Sequence, residues 1–230
     1  MHKSITALAT LALVAAHGAA EAVLVVDNAG FEAAQVVTFD AFDGLVTTGP
    51  TEVGLTEIGT SVILTSTPFA EVGANSRDLG DNGLWGARVG PTPTGSGNFL
   101  ASLFATPQGS FTFTLAAPVA GVGGFINQFQ APGVPNQFAL IAYDAQGETL
   151  ETYNASVDTD PFGYNEGGFY GIHRTQADIY GFGVANGALV LDNLTLTAVP
   201  IPEPETYALM AAGLGIVGWL ARRRSRVAGV

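Results

Sequence analysis

Seventeen carboxylates, one histidine and no cysteine define the chemistry open to residues 23–199 of this 230-residue sequence. A Ser-His-Asp set would have to use His173, which stands beside Arg174 at the end of a strand-like stretch with no nucleophile-elbow pattern near it. One histidine without thiolates falls short of a zinc ligand set. Paired carboxylates are the remaining catalytic option. Asp158 with Asp160, or Glu148 with Glu151, could flank a glycosidic bond. That chemistry needs a set separation across strands, which spacing along the chain does not specify. The simpler reading is solvated charge that keeps the protein soluble. No catalytic residue is assigned.

Two other groups of residues could bind rather than react. Trp85 follows the turn-rich Leu79-Gly80-Asp81-Asn82-Gly83-Leu84, and Tyr164, Asn165 and Glu166 lie between Gly163 and Gly167. Exposed aromatic faces beside carboxylates and amides suit sugar rings and their hydroxyls. Trp85, Tyr164, Asn165 and Glu166 are therefore the candidate glycan-binding residues, against the simpler reading that Trp85 fills a core and the tyrosines cap sheet edges. Calcium takes clustered oxygen ligands. Glu32, which closes Asp27-Asn28-Ala29-Gly30-Phe31-Glu32, and Asp192, beside Asn193, could share a structural calcium if the first and last strands are neighbours. The EF-hand loop is absent, and ordinary turn and edge carboxylates are the simpler reading.

Charge narrows the partners. The net charge is −12, and residues 23–199 hold only Arg77, Arg88 and Arg174 against their 17 acidic residues. A surface this negative cannot neutralise phosphates, which excludes nucleic acid as a partner. Charged residues make up 12% of the chain, about half the usual ~25%, while 47% are hydrophobic.

The two ends read as export signals. Met1-His2-Lys3, an apolar run from Ile5 to Ala16 and a small-residue exit form a secretory signal peptide over residues 1–22. Ala20-Glu21-Ala22 fits the A-x-A rule with cleavage before Val23, and Gly18-Ala19-Ala20 offers a second site. At the other end, the prolines of Val199-Pro200-Ile201-Pro202-Glu203-Pro204 exclude a helix. Thr206 can cap the uncharged run Tyr207–Ala221, whose 15 residues span roughly 22 Å as a helix. Arg222, Arg223, Arg224 and Arg226 would hold its far end in the cytoplasm and leave Pro202-Glu203-Pro204 outside.

Pro202-Glu203-Pro204, a helix bearing Gly213, Gly215 and Gly218, and the arginine cluster together resemble a PEP-CTERM sorting signal over residues 200–230. The resemblance implies recognition and processing by an exosortase, a membrane transpeptidase, in an exported protein associated with exopolysaccharide. It implies inner-membrane anchoring before processing, and a cell-surface or extracellular fate after it.

Between the ends, period-2 segments outnumber helical ones. Strands are expected at Val36–Phe42, Thr60–Ser66, Gly109–Leu115, Val119–Phe129, Phe169–Ile172, Asp178–Val184 and Leu189–Thr197. Phe138–Tyr143, Asp144-Ala145-Gln146-Gly147 and Glu148–Ala155 read as a hairpin. About nine to eleven strands without intervening helices argue for an antiparallel β-sandwich over residues 23–199, with a jelly roll as the expected arrangement. The stretch from Pro118 to Thr197 also resembles a sandwich domain frequent in PEP-CTERM proteins. Gly121-Val122-Gly123-Gly124-Phe125-Ile126-Asn127, Ala142-Tyr143-Asp144-Ala145-Gln146-Gly147, Gly168-Phe169-Tyr170-Gly171-Ile172, Ala177-Asp178-Ile179 and Leu191-Asp192-Asn193-Leu194-Thr195 carry that resemblance. The expectation is a non-enzymatic surface or matrix protein, structural, adhesive or carbohydrate-binding, with a carboxylate-based glycoside hydrolase as the alternative.

Overall fold

The computed structural model describes residues 22–31, 34–86, 97–103, 109–131 and 136–197. Residues 1–21 of the expected signal peptide, residues 198–230 with the expected sorting tail, and Glu32 lie outside them. Sixteen strands, numbered in chain order, and one helical turn at Leu55–Ile58 make up the described elements.

Two antiparallel sheets face each other. The first runs β1 (Ala22–Val25), β14 (Gly168–Arg174), β11 (Gly121–Gln128), β16 (Leu189–Thr197), β9 (Phe99–Ser102), β6 (Ala70–Ala74) and β3 (Leu45–Thr47), with β2 (Gln35–Val37) also against β16. The second runs β13 (Thr149–Ala155), β12 (Phe138–Tyr143), β15 (Ile179–Ala185), β10 (Ser110–Val119), β5 (Val62–Thr67) and β4 (Thr51–Glu52). A small ribbon pairs β7 (Arg77–Asp78) with β8 (Leu84–Trp85).

The last eight strands form the jelly roll. Order β9-β16-β11-β14 in one sheet opposes β10-β15-β12-β13 in the other, the two-Greek-key arrangement of that fold. The earlier strands extend both sheets at their β9 and β10 sides, except β1, which adds to β14. Alternation builds the core: Phe111, Phe113, Leu140, Phe182 and Val184 of the second sheet meet Val122, Ile126, Ile172, Leu191, Leu194 and Leu196 of the first. The expected hairpin is present. Asp144 Oδ1 accepts from the amides of Gln146 and Glu148, and Gly147 takes the left-handed φ of +80° that its turn requires.

The strand expected at Val36–Phe42 stops at Val37. Phe39 turns to a φ of 64° and is fully buried in the main core. Such a backbone is strained for a bulky residue, and packing of the ring holds it there. The first strand of the chain and the last are also not adjacent, because β14 and β11 stand between β1 and β16. β11 lies along one edge of β16, and β9 and β2 pair with its other edge.

The register fixes two poles. Thr197 pairs with Gly121, Gly121 with His173, and Ala22 with Arg174, so β16 ends where β1 begins. At the opposite pole, Leu189 pairs with Gln128 and Ile126 with Gly168, which places the 156–167 connection there. The nine residues of β16 separate these poles by roughly 26 Å. Arg174 closes the first pole. It is buried, and it bonds Asp178 at 2.7 and 3.0 Å and Glu151 at 2.5 Å, tying β14 to the opposing sheet.

This geometry bears on the leader. Cleavage before Val23 would remove Ala22, which pairs with Arg174 and whose carbonyl accepts the Tyr153 hydroxyl at 2.9 Å. Cleavage after Gly18-Ala19-Ala20 keeps the strand whole. N-terminal sequencing of the exported protein is expected to begin at Glu21; a start at Val23 would mean that β1 does without its first residue.

Candidate functional site

The outer face of the first sheet carries a second core. Ala74, Phe99, Ala101 and Val190 form its floor, and Leu79 and Trp85 close over them from the β7–β8 ribbon. Trp85 is 2% exposed and meets Phe99 edge-on with ring centroids 5.3 Å apart. Trp85 is therefore corrected from a sugar platform to a plug. Its indole faces apolar side chains, and no ring face is left for a ligand.

Asn82 is the hub beneath the adjoining loop, and it is buried. Its Nδ2 donates to the carbonyls of Gln128 at 2.8 Å and Val157 at 3.2 Å. Its Oδ1 accepts from the Thr159 amide, and its carbonyl accepts the Thr159 hydroxyl. The ribbon and the 156–167 connection are thus tied together. The Leu84 amide donates to Gly163, and the Asn165 amide donates back to Leu84.

Asn165 and Glu166 belong to this framework too. Asn165 is 4% exposed, adopts a φ of 55°, and accepts from the Gly86 amide at 2.5 Å through Oδ1. Glu166 accepts from the Asp160 amide, and its carbonyl accepts from Asn127. Both side chains therefore position the loop, which corrects their expected role as ligand-facing groups. Asn tolerates the left-handed backbone that such a turn needs better than most residues.

What the framework leaves outside is aromatic. Phe162 is 87% exposed and Tyr164 54% exposed, at the pole opposite Thr197. Of the four expected residues, only Tyr164 presents a free face. Phe162 was missed, although a phenylalanine between Pro161 and Gly163 sits in turn-forming sequence where burial is improbable. Buried amide networks rigidify what they hold, so the pair is displayed on a preorganised loop.

The carboxylate pairs are largely occupied. Glu151 is bonded to Arg174 at the other pole, and Asp160 Oδ1 accepts from the Phe162 amide at 2.9 Å. Glu148 and Asp158 are exposed. His173 is 5% exposed and packs edge-on to Phe31 at 6.0 Å, inside the fold.

Asp192 is the carboxylate whose pKa is raised among the described residues. It is 2% exposed at a bulge of β16, where Asn193 takes a φ of 52° and donates its amide to Asp192 Oδ1 at 2.7 Å. Burial pushes its pKa up to about 7, and the nearby charges of Asp40 and Glu57 push the same way. Asp40 accepts from the Asn98 amide, and Glu57 from the amide and hydroxyl of Thr38. Among the described residues no group of three acidic or histidine side chains converges as a metal site.

A family model described as the PEP-CTERM protein-sorting motif matches residues 200–225. The chain carries that motif, the mark of an exported, membrane-anchored precursor sorted by an exosortase. Pro202, Glu203, Pro204 and Arg222–Arg224 fall within the match, and Arg226 lies just beyond it. No curated protein matches the chain. Among the described residues no helix is long and apolar enough to cross a membrane.

Asp192 yields a pH test. Its carboxyl titrates at about 7 when folded, against 3.8 in its ordinary state. The folded protein therefore holds the proton more tightly, and stability is lost as pH rises from about 4 to about 7. The full cost, on the order of 4 kcal/mol, is present above pH 7. Asp192→Asn should raise Tm most at pH 8, with the gain shrinking towards pH 5. A gain independent of pH would contradict the buried carboxylate. Millimolar calcium that raised the Tm of the wild type but not of Asp192→Asn would instead assign the site to a cation.

Proposed function

We propose that this is a non-enzymatic surface or matrix protein that binds glycan through the loop carrying Phe162 and Tyr164. The observation that carries the reading is a rigid aromatic pair at the pole remote from Thr197, after which the sorting tail departs. A protein held through that tail turns its other pole away from the cell. Aromatic faces bury the apolar faces of sugar rings at little conformational cost when the loop is already fixed. The hydroxyl of Tyr164 and the exposed carboxylate of Asp158 supply polar partners within the same loop.

The enzyme alternative, a carboxylate-based glycoside hydrolase, draws less support. Glu151 is committed to an ion pair and Asp160 to a turn. A retaining or inverting site needs two carboxyls free to exchange protons with substrate.

The partners of this reading are the exosortase, the secretion machinery and exopolysaccharide. The motif holds Glu203 between Pro202 and Pro204, a sequence that disfavours a helix. The apolar run behind it and Arg222–Arg224 would stall the chain in the inner membrane with that motif outside.

Two outcomes test these statements. On a glycan array, Phe162→Ala/Tyr164→Ala should lose about tenfold or more of the wild-type signal, equivalent to about 1.4 kcal/mol. Its melting curve should stay close to wild type, because both rings are exposed. Equal binding by the double variant would remove the loop from the function. In the native host, intact mass should show mature protein lacking the segment from Tyr207 to Val230. Replacing Pro202, Glu203 and Pro204 by alanine should leave full-length protein in the membrane; wild type that retains Val230 would make the tail a plain anchor.

A further inference from the structure

The outer face of the second sheet is unlike the rest of the surface. Its four adjacent strands β12, β15, β10 and β5 contain no charged residue. The protein as a whole carries 20 acidic residues, and exposed surfaces normally draw about a quarter of their residues from the charged types. The inward positions of these strands are explained by the core. The outward ones are not, since water would accept charges there at no cost.

The outward positions present hydroxyls, the aliphatic Ile63 and Ile141, and the ring of Tyr143 instead. On β10, Thr112 and Thr114 alternate with the buried Phe111, Phe113 and Leu115. Half-buried Thr112 stands opposite Thr65 of β5, which is exposed. On β15, Gly181 and Gly183 alternate with the buried Phe182 and Val184. A Cβ on Gly183 would come within 3.1 Å of the Tyr143 ring, and one on Gly181 within 3.3 Å. The two glycines therefore let Tyr143 lie down along the sheet rather than stand off it. A groove of about 280 Å³ results, lined by Tyr143, Tyr180, Thr112, Thr114 and the Asp144 turn. Its size is near the lower limit for small-ligand sites.

We propose that this groove, centred on Tyr143, Thr112 and Thr114, binds a segment of an uncharged polysaccharide. Hydroxyls exchange hydrogen bonds with sugar hydroxyls as donors or acceptors, and the tyrosine ring covers the apolar side of a sugar ring. A polyanion is disfavoured by the −12 charge of the protein, and the groove offers no cation to offset it. Asp144 at the rim is the one carboxylate that lines the groove among the described residues, and its Oδ1 already accepts from the amides of Gln146 and Glu148. The proposal rests on the glycan-binding reading above but places a second, separate contact on a different sheet.

Affinity electrophoresis of the full chain in mild detergent tests it, with dextran or hydroxyethyl cellulose as neutral probes and alginate as the acidic one cast into the gel. Wild type should be retarded by at least one neutral polymer and not by alginate. Thr114→Asp, an exposed change that leaves the core intact, should weaken retardation about tenfold, and Tyr143→Ala likewise, while Tyr143→Phe retains it. The Phe162→Ala/Tyr164→Ala chain should still be retarded. If that double variant alone abolishes retardation and Thr114→Asp has no effect, the groove fails and the loop reading stands. If only the groove variants lose it, the loop reading fails. No retardation by either neutral polymer overturns the groove, as does a wild-type dimer in sedimentation that Thr114→Asp dissociates, since the face would then be covered by a second copy.

Discussion

The first sheet is apolar on both faces, and most of the structure follows from hiding the second of them. β11 and β16 are buried almost end to end. One face of each meets the opposing sheet. The other would leave Val190, Ala101 and Phe99 in water were it not for the β7–β8 ribbon, which lays Trp85 and Leu79 across them. A two-residue ribbon has little stability of its own. Asn82 supplies the anchorage, with bonds to two different segments. Those bonds in turn fix the 156–167 connection. The exposed aromatic pair is thus a consequence of covering the sheet: the lid consumes Trp85, Asn165 and Glu166, and leaves Phe162 and Tyr164 outside.

The opposite pole is closed by charge rather than by an apolar lid. Arg174 is buried between Asp178 and Glu151. Breaking such a pair by removing one partner leaves an uncompensated charge and is costly, although the intact pair contributes little net stability. Its value lies in position. It joins the two sheets where β1 begins and β16 ends, so the points at which the chain enters and leaves the sandwich are held by one cluster.

Sequence pattern revealed the strands whose two faces differ. β10 and the β12–β13 hairpin alternate cleanly, and β16 appears at its expected bounds. Pattern failed where tertiary packing overrode local preference. Phe39 belongs to an apolar alternating run but turns left-handed to reach the main core. β6 and β9 are short and carry small residues, Ala74 and Ala101 among them, so they emit little periodic signal. Trp85 looked exposed because glycines and polar residues precede it, and only the three-dimensional proximity of Val190 and Phe99 shows that the turn is a lid. Asp192 could be seen as a carboxylate within a strand, but not as a buried one, because the bulge at Asn193 alters which way successive side chains point.

Charge placement links these observations. The eight jelly-roll strands contain only three side chains of the Asp, Glu, Lys and Arg types: Glu151, Arg174 and Asp192. Glu151 and Arg174 neutralise one another. Burial, with the charges of Asp40 and Glu57 adding to it, raises the pKa of Asp192 to about 7. All other charge in the described part is carried by turns and by the added elements. That distribution keeps a protein of −12 soluble, because repulsion is spread over loops in high dielectric rather than across strands. It also leaves strands β12, β15, β10 and β5 of the second sheet without a charged residue. Charge thus sits mainly on the turns, and the polar groups that those four strands present are hydroxyls, with Thr65 and Thr114 among the exposed ones.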